Sequence, residues 1–184
     1  MKSGYLKKIY FYRNLYPELL DHRLVKQALA YFFKGATSLP VSINIMITYR
    51  CNFHCKICSF YGSGGIDNRE ISFKDIIKLL DELGVFKPVI FLGGGEPFIR
   101  QDIYEIINEI KKRGLKLIIS TNGFLVEPDK LKGLDLDYLI FSLYGPAEIH
   151  DKITSMADSY RVAIEKMKCI ADERIVKHLA VSTV

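Results

Sequence analysis

Apolar and polar positions along this chain alternate between two periods, that of a strand and that of a helix. Residues 41–48, Val-Ser-Ile-Asn-Ile-Met-Ile-Thr, alternate strictly and are rich in β-branched side chains, which predicts a strand. Residues 72–84 then follow helical spacing. Ile76, Ile77, Leu79, Leu80 and Leu83 share one face, Ser72 stands where an N-cap belongs with Asp75 three residues on, and Gly84 ends the run. Residues 89–92, Val-Ile-Phe-Leu, are wholly apolar, as in a parallel strand covered on both faces. Residues 101–113 give a second helix on Ile103, Ile106, Ile107 and Ile110, closed by Gly114. A strand at 115–120, a short helix or turn at 127–133, a strand at 138–143, a helix at 158–172 and a last strand at 175–184 complete the pattern.

Five strands separated by mostly helical crossovers imply parallel pairing through right-handed βαβ units. The fold class is therefore α/β, an open or closing β/α barrel. Upstream, Leu15, Leu19, Leu24, Val25, Ala28, Leu29 and Phe32 keep helical spacing before Gly35. Residues 1–38 are thus expected to form a helical extension, and residues 39–184 the barrel unit. The chain stops at a strand that would leave the next barrel edge unpaired, so the barrel is expected to be truncated after strand five.

Composition changes this picture little. With 49% hydrophobic and 26% charged residues the chain is globular in character. No apolar run approaches the ~18 residues of a membrane span, and the first residues lack a secretory pattern, so the expected address is cytoplasmic. Charge is more informative. Residues 1–34 hold seven basic and two acidic side chains, which accounts for the whole net charge of +5. That basic, aromatic extension reads first as a solvated helix packed by its aromatic face. Peripheral contact with a membrane surface or an RNA is the alternative, and no DNA partner is expected.

The candidate chemistry begins with Cys51, Cys55 and Cys58. Three thiols within eight residues of one loop can grip one soft metal centre, and in a reducing compartment they read as metal-binding or catalytic. Zinc with His54 as fourth ligand is a competing reading, weakened because neighbouring residues rarely reach one tetrahedral ion. Cys169, in the 158–172 helix, is expected to be a buried small hydrophobe.

Each notable loop follows a predicted strand, at the end where parallel sheets place their ligands. After the cysteine loop come Gly93-Gly94-Gly95-Glu96-Pro97, Ser120-Thr121-Asn122-Gly123 and Ser142-Leu143-Tyr144-Gly145. Glycines let backbone approach a ligand, Glu96 offers a carboxylate, and Ser120, Asn122 and Ser142 offer hydroxyl and amide groups. His150 and Asp151 follow the last of these loops and are within reach of proton transfer, or serve a helix start.

The Cys51-x3-Cys55-x2-Cys58 loop after the first strand, with Gly94-Gly95-Glu96-Pro97 after the second, resembles the radical S-adenosylmethionine (radical SAM) superfamily over residues 40–184. The resemblance implies a partial (β/α)6-type barrel and an enzyme that binds a [4Fe–4S] cluster on Cys51, Cys55 and Cys58. S-adenosylmethionine would then sit on the fourth iron. Gly94, Gly95 and Glu96 match the segment that contacts its amino group. Ser142, with Ser120 and Asn122, matches positions that contact its carboxylate or ribose. Reductive cleavage would give methionine and a 5′-deoxyadenosyl radical, which abstracts hydrogen from a substrate: a small molecule, a peptide or a lipid-like molecule. A one-electron reductant such as ferredoxin or flavodoxin is the implied partner. A cluster-binding protein without turnover is the alternative. Two positions depart from the family pattern. Ile57 stands where an aromatic residue is common before the third cysteine, and Tyr144 stands where an aspartate is frequent.

Overall fold

The computed structural model describes residues 40–59, 70–84 and 87–183. The chain divides into two compact units, Met1–Ile43 and Asn44–Val184. Of the first, only residues 40–43 are described, the lead into a strand. The expected N-terminal helices and the glycine-rich connection at 61–65 lie outside the described residues. Among those described, no helix is long and apolar enough to cross a membrane.

Five strands form one sheet in the order β1 (Ser42–Thr48), β2 (Val89–Gly94), β3 (Lys116–Thr121), β4 (Tyr138–Ser142) and β5 (His178–Ser182). The pairs β2–β3, β3–β4 and β4–β5 are parallel, with Val89 opposite Lys116, Ser120 opposite Ile140 and Ser142 opposite Ser182. Strand order equal to chain order is the winding of a barrel wall, as the sequence pattern predicts. The helices are α1 (Phe73–Leu83), α2 (Ile103–Lys112), α3 (Pro128–Leu131), α4 (Ala147–Thr154) and α5 (Ser159–Asp172), with a 3-10 turn at Pro97–Ile99.

Helix formation follows from spacing. Ile103, Ile106, Ile107 and Ile110 make one buried stripe on α2, each fully covered or nearly so. Each such side chain contributes about 1.5–3 kcal/mol of burial. The Ser72 hydroxyl caps α1 by accepting the Asp75 N–H at 3.1 Å. That hydroxyl in turn donates to Asp75 Oδ2 at 2.6 Å, so the carboxylate is engaged by the side chain in place of the Ser72 backbone N–H and only half of a capping box forms.

The N-terminal edge of the sheet is held by charge. Asp137, 1% exposed, accepts the Leu117 N–H at 3.0 Å, Lys116 and Lys177 at 3.3 Å each, and Lys111. Burial works to raise its pKa, but Lys111 and the other donors outweigh it and hold the carboxyl below its ordinary range. One carboxylate thus gathers the starts of β3, β4 and β5. Cys169 departs from expectation. It is half-buried on α5, beside the Glu173 carboxylate at 3.8 Å, because that position lies between the core face and the solvent face of the helix.

Candidate active site

The opposite, C-terminal edge of the sheet opens into a cleft of about 610 Å³. All nine predicted site residues line it: Cys51, Cys55, Cys58, Gly94, Gly95, Glu96, Ser120, Asn122 and Ser142. Asn44 and Met46 from the open face of β1, with Phe53, Ile57, Tyr144 and Thr154, complete much of its wall. His54 is exposed and does not line it. Among the described residues, no three His, Cys, Asp or Glu side chains converge as a single ion requires; the three thiols share the cleft without meeting at one point.

The cysteine loop is fastened at both ends. At its root, the Gly95 N–H donates to the Thr48 carbonyl at 2.8 Å and the Glu96 N–H to the Arg50 carbonyl at 2.9 Å. These contacts explain two glycines. A Cβ on Gly94 would lie 2.1 Å from the Thr48 carbonyl oxygen, and one on Gly95 2.1 Å from that of Arg50. The sequence reading assigned glycine here to close approach of a ligand. Beside that reading, the structure shows close approach of the chain to itself, which fixes the β2 loop against the start of the cysteine loop.

Further along, the Lys56 N–H donates to Ile153 O at 2.8 Å and the His54 N–H to Thr154 O at 3.4 Å. These carbonyls end α4, where a helix leaves acceptors without partners, so the loop caps the helix. Within the loop the Cys58 N–H closes a turn on Cys55 O at 3.1 Å.

A charged network that sequence reasoning missed braces the same root. Glu70 accepts the Thr48 hydroxyl and both Arg50 Nε at 2.7 Å and Nη2 at 3.3 Å. The hydrogen bonds from Arg50 hold the Glu70 carboxyl below its usual range. Arg100, buried, donates through Nη1 to Ile47 O and Ile71 O at 2.9 Å each, and through Nε and Nη2 to Asp102 at 2.8 and 2.6 Å. Nothing local marks it in the sequence, since the partners of Arg100 lie up to 53 residues away.

The thiols carry an electrostatic conflict. Burial pushes the Cys55 thiol up to about 11, and the charges of Cys51 and Cys58 push the same way. Burial also raises Cys51, while the Phe53 N–H at 3.4 Å and the Asn122 amide work against it. A cationic centre bound beside Cys51 and Cys55 would favour their thiolates and invert this order. In donor chemistry, shared cleft and mutual repulsion, the residues fit an iron–sulfur cluster.

Glu96 is fully buried. Its Oε1 accepts the Phe98 N–H at 3.1 Å and the Thr121 hydroxyl at 2.7 Å, and its Oε2 accepts the Asn122 N–H at 2.7 Å. Burial pushes its pKa up to about 7 against the pull of these donors and of Lys166. Three internal bonds make it a strut between the β2 and β3 loops, with lone-pair capacity left for one further donor.

Beyond β4, the Tyr144 N–H donates to His150 Nδ1 at 3.1 Å, and the two rings stack at 5.7 Å. His150 is fully buried, also meets Tyr160 edge-on, and its Nε2 has no hydrogen-bond partner among the described residues. Burial pushes the Tyr144 phenol up, and the Ser142 hydroxyl draws it back. His150 thus serves the cleft through Tyr144 and does not line it.

Comparison with known proteins agrees with this geometry. The family model described as the Radical SAM superfamily matches residues 45–183. Fe-coproporphyrin III synthase of Methanosarcina barkeri is 33% identical over 133 residues, covering 70% of this chain and 33% of its own length. The mycofactocin maturase of Mycolicibacterium smegmatis is 31% identical over 157 residues, covering 82% of this chain and 38% of its own. The chain thus spans about a third of the length of these relatives. Among solved structures, Streptococcus suis SuiB bound to its precursor peptide SuiA superposes with a TM-score of 0.68 at 17% identity, over 85% of this chain and 35% of that one.

Proposed function

The chain belongs to the radical SAM superfamily, and from that premise we propose that Cys51, Cys55 and Cys58 hold a [4Fe–4S] cluster beside a site for S-adenosylmethionine. The observation that carries this reading is the convergence of all nine candidate residues, from four strand ends, on one cleft. Bound there, a cluster would supply the one-electron reduction that cleaves S-adenosylmethionine to methionine and a 5′-deoxyadenosyl group able to take hydrogen from a substrate.

The chain's own residues bind and orient. Cys51, Cys55 and Cys58, in the CxxxCxxC arrangement, would hold the cluster with one ligand fewer than a closed four-cysteine site. The Gly94-Gly95-Glu96-Pro97 segment runs alongside the cysteine loop, joined to it by the two backbone bonds at Thr48 and Arg50, and presents polar backbone and carboxylate to an ammonium group. Ser142 and Ser120 offer hydroxyls for carboxylate or ribose oxygens. Tyr144 replaces a carboxylate there with a phenol, a neutral donor and acceptor. Phe53, buried, and Ile57, half exposed, supply apolar wall to the cleft.

Residues 39–184 carry this activity in the reading, with an external one-electron reductant of the ferredoxin or flavodoxin type. The names of the relatives and neighbours point to a tetrapyrrole and a precursor peptide, so the shared wall of the cleft speaks for radical initiation and not for one substrate.

The test is anaerobic reconstitution with iron and sulfide, reduction with dithionite, addition of S-adenosylmethionine and chromatography for 5′-deoxyadenosine. Product from the parent chain that vanishes in Cys55→Ala is the expected result. A cluster without product supports the cluster-binding alternative, and zinc bound in place of iron overturns the reading.

A further inference from the structure

The amide of Asn122 has its orientation forced by its neighbours. The Phe124 N–H donates to Asn122 Oδ1 at 2.9 Å, so the nitrogen must face the other way. There it donates to Asn52 Oδ1 at 2.8 Å and points at Cys51 Sγ at 3.9 Å. The Asn122 backbone is fixed as well, through its N–H to Glu96 Oε2. Asn52 spends its oxygen on this contact, which leaves its own Nδ2 buried without a partner. A buried donor left unpaired is costly.

We propose that Asn122 raises the reduction potential of a cluster held at Cys51 by donating its side-chain N–H to the Cys51 sulfur, with Asn52 and Phe124 locking the donor in place. This rests on the cluster reading above and gives Asn122 a role beyond cofactor contact. An N–H aimed at a thiolate stabilises negative charge on sulfur. The reduced cluster carries one more electron than the oxidised one, so the bond strengthens on reduction and the potential rises. The Phe53 N–H, at 3.4 Å from the same sulfur, acts in the same sense but is backbone and survives side-chain substitution.

The test is a redox titration of the reconstituted protein, followed by electron paramagnetic resonance, without S-adenosylmethionine. Parent, Asn122→Ala and Asn122→Asp are compared at equal iron and sulfide content. Asn122→Ala removes the donor to Cys51 together with the acceptor for the Phe124 N–H and the contact to Asn52. Asn122→Asp keeps the shape and the acceptor for Phe124, and its second oxygen allows Asn52 to turn and use its nitrogen; because its added negative charge lowers the midpoint by itself, a fall in this variant counts only beside a fall in the uncharged Asn122→Ala, and a fall in Asn122→Asp alone overturns the proposal. Both midpoints are expected to fall. At the parent's midpoint the reduced-to-oxidised ratio should drop about tenfold, about 59 mV for one electron. An unchanged midpoint in a variant with an intact cluster overturns the proposal and leaves the cluster reading standing. Absence of a [4Fe–4S] signal in the parent protein overturns both.

Discussion

A Cβ on Gly95 would stand 2.1 Å from the carbonyl oxygen of Arg50, closer than any relaxed contact. The β2 loop and the root of the cysteine loop therefore cannot separate the two roles of fold and site. Gly95→Ala forces backbone to move. Overpacking of this kind costs about 1–3 kcal/mol, or about 3–10 °C of melting temperature in a chain of this size. Thermal melting of the apo protein measures the cost, and iron content after reconstitution shows whether the cysteine loop moved. An unchanged melt would sink this account of the glycine.

Glu96 gives a pH signature. Its folded pKa, pushed up to about 7, stands above the ordinary carboxylate value it regains on unfolding. Between about 4.5 and 7 the folded state binds more protons, so this residue makes stability fall as pH rises through that window. In Glu96→Gln that segment disappears. The glutamine also points an amide nitrogen at the Asn122 N–H, a mismatch costing about 1–3 kcal/mol. Urea denaturation at a series of pH values, parent against variant, gives both quantities.

His150 works in the opposite direction. Burial lowers its pKa, with only the charge of Asp151 opposing, while Tyr144 and Tyr160 face it as neutral rings. The unfolded chain therefore takes up the proton first, and stability falls as pH drops below about 6.5. His150→Leu abolishes that loss and strands the Tyr144 N–H, at about 1–3 kcal/mol. His150→Asn restores an acceptor near Nδ1 and should recover part of the deficit. Equal stability of the two variants would show that the Tyr144 hydrogen bond carries no weight.

Most strands and the long helices were legible in the sequence because their physics is local. Val89 to Leu92 reads as a continuous apolar run because a parallel strand is covered on both faces, and the isoleucines of α2 recur at the helical period. The site loops were legible because each follows a strand end. Helix α4 was not. It has two turns, and its pattern is inverted, with Ile149 at 51% exposure beside His150 at 0%. No period marks a helix whose polar residue faces inward to bond a neighbouring loop. Nor does the sequence reveal Asn52 or the Arg50–Glu70–Arg100 brace, whose contacts join residues 20 to 70 positions apart.

That brace makes a further prediction. Arg100 is 6% exposed and satisfies two backbone carbonyls from Ile47 and Ile71 besides Asp102. Removing one member of a buried charged group costs about 3–5 kcal/mol. Arg100→Met should lower the urea midpoint strongly with an unchanged slope. A shift under about 1 kcal/mol would mean that water replaces the guanidinium.

Helix α4 touches the cysteine loop at its last residues and the Tyr144 loop at His150. One short rod thus latches two loops that the strands present separately. Its opening is a single local event, smaller than global unfolding. The amide protons of Lys56 and Tyr144, 88 positions apart, should trade for deuterium in step. The ease with which the cysteine loop breathes is then decided by a helix behind the β4 loop, and any molecule that steadies Tyr144 also steadies the cysteines.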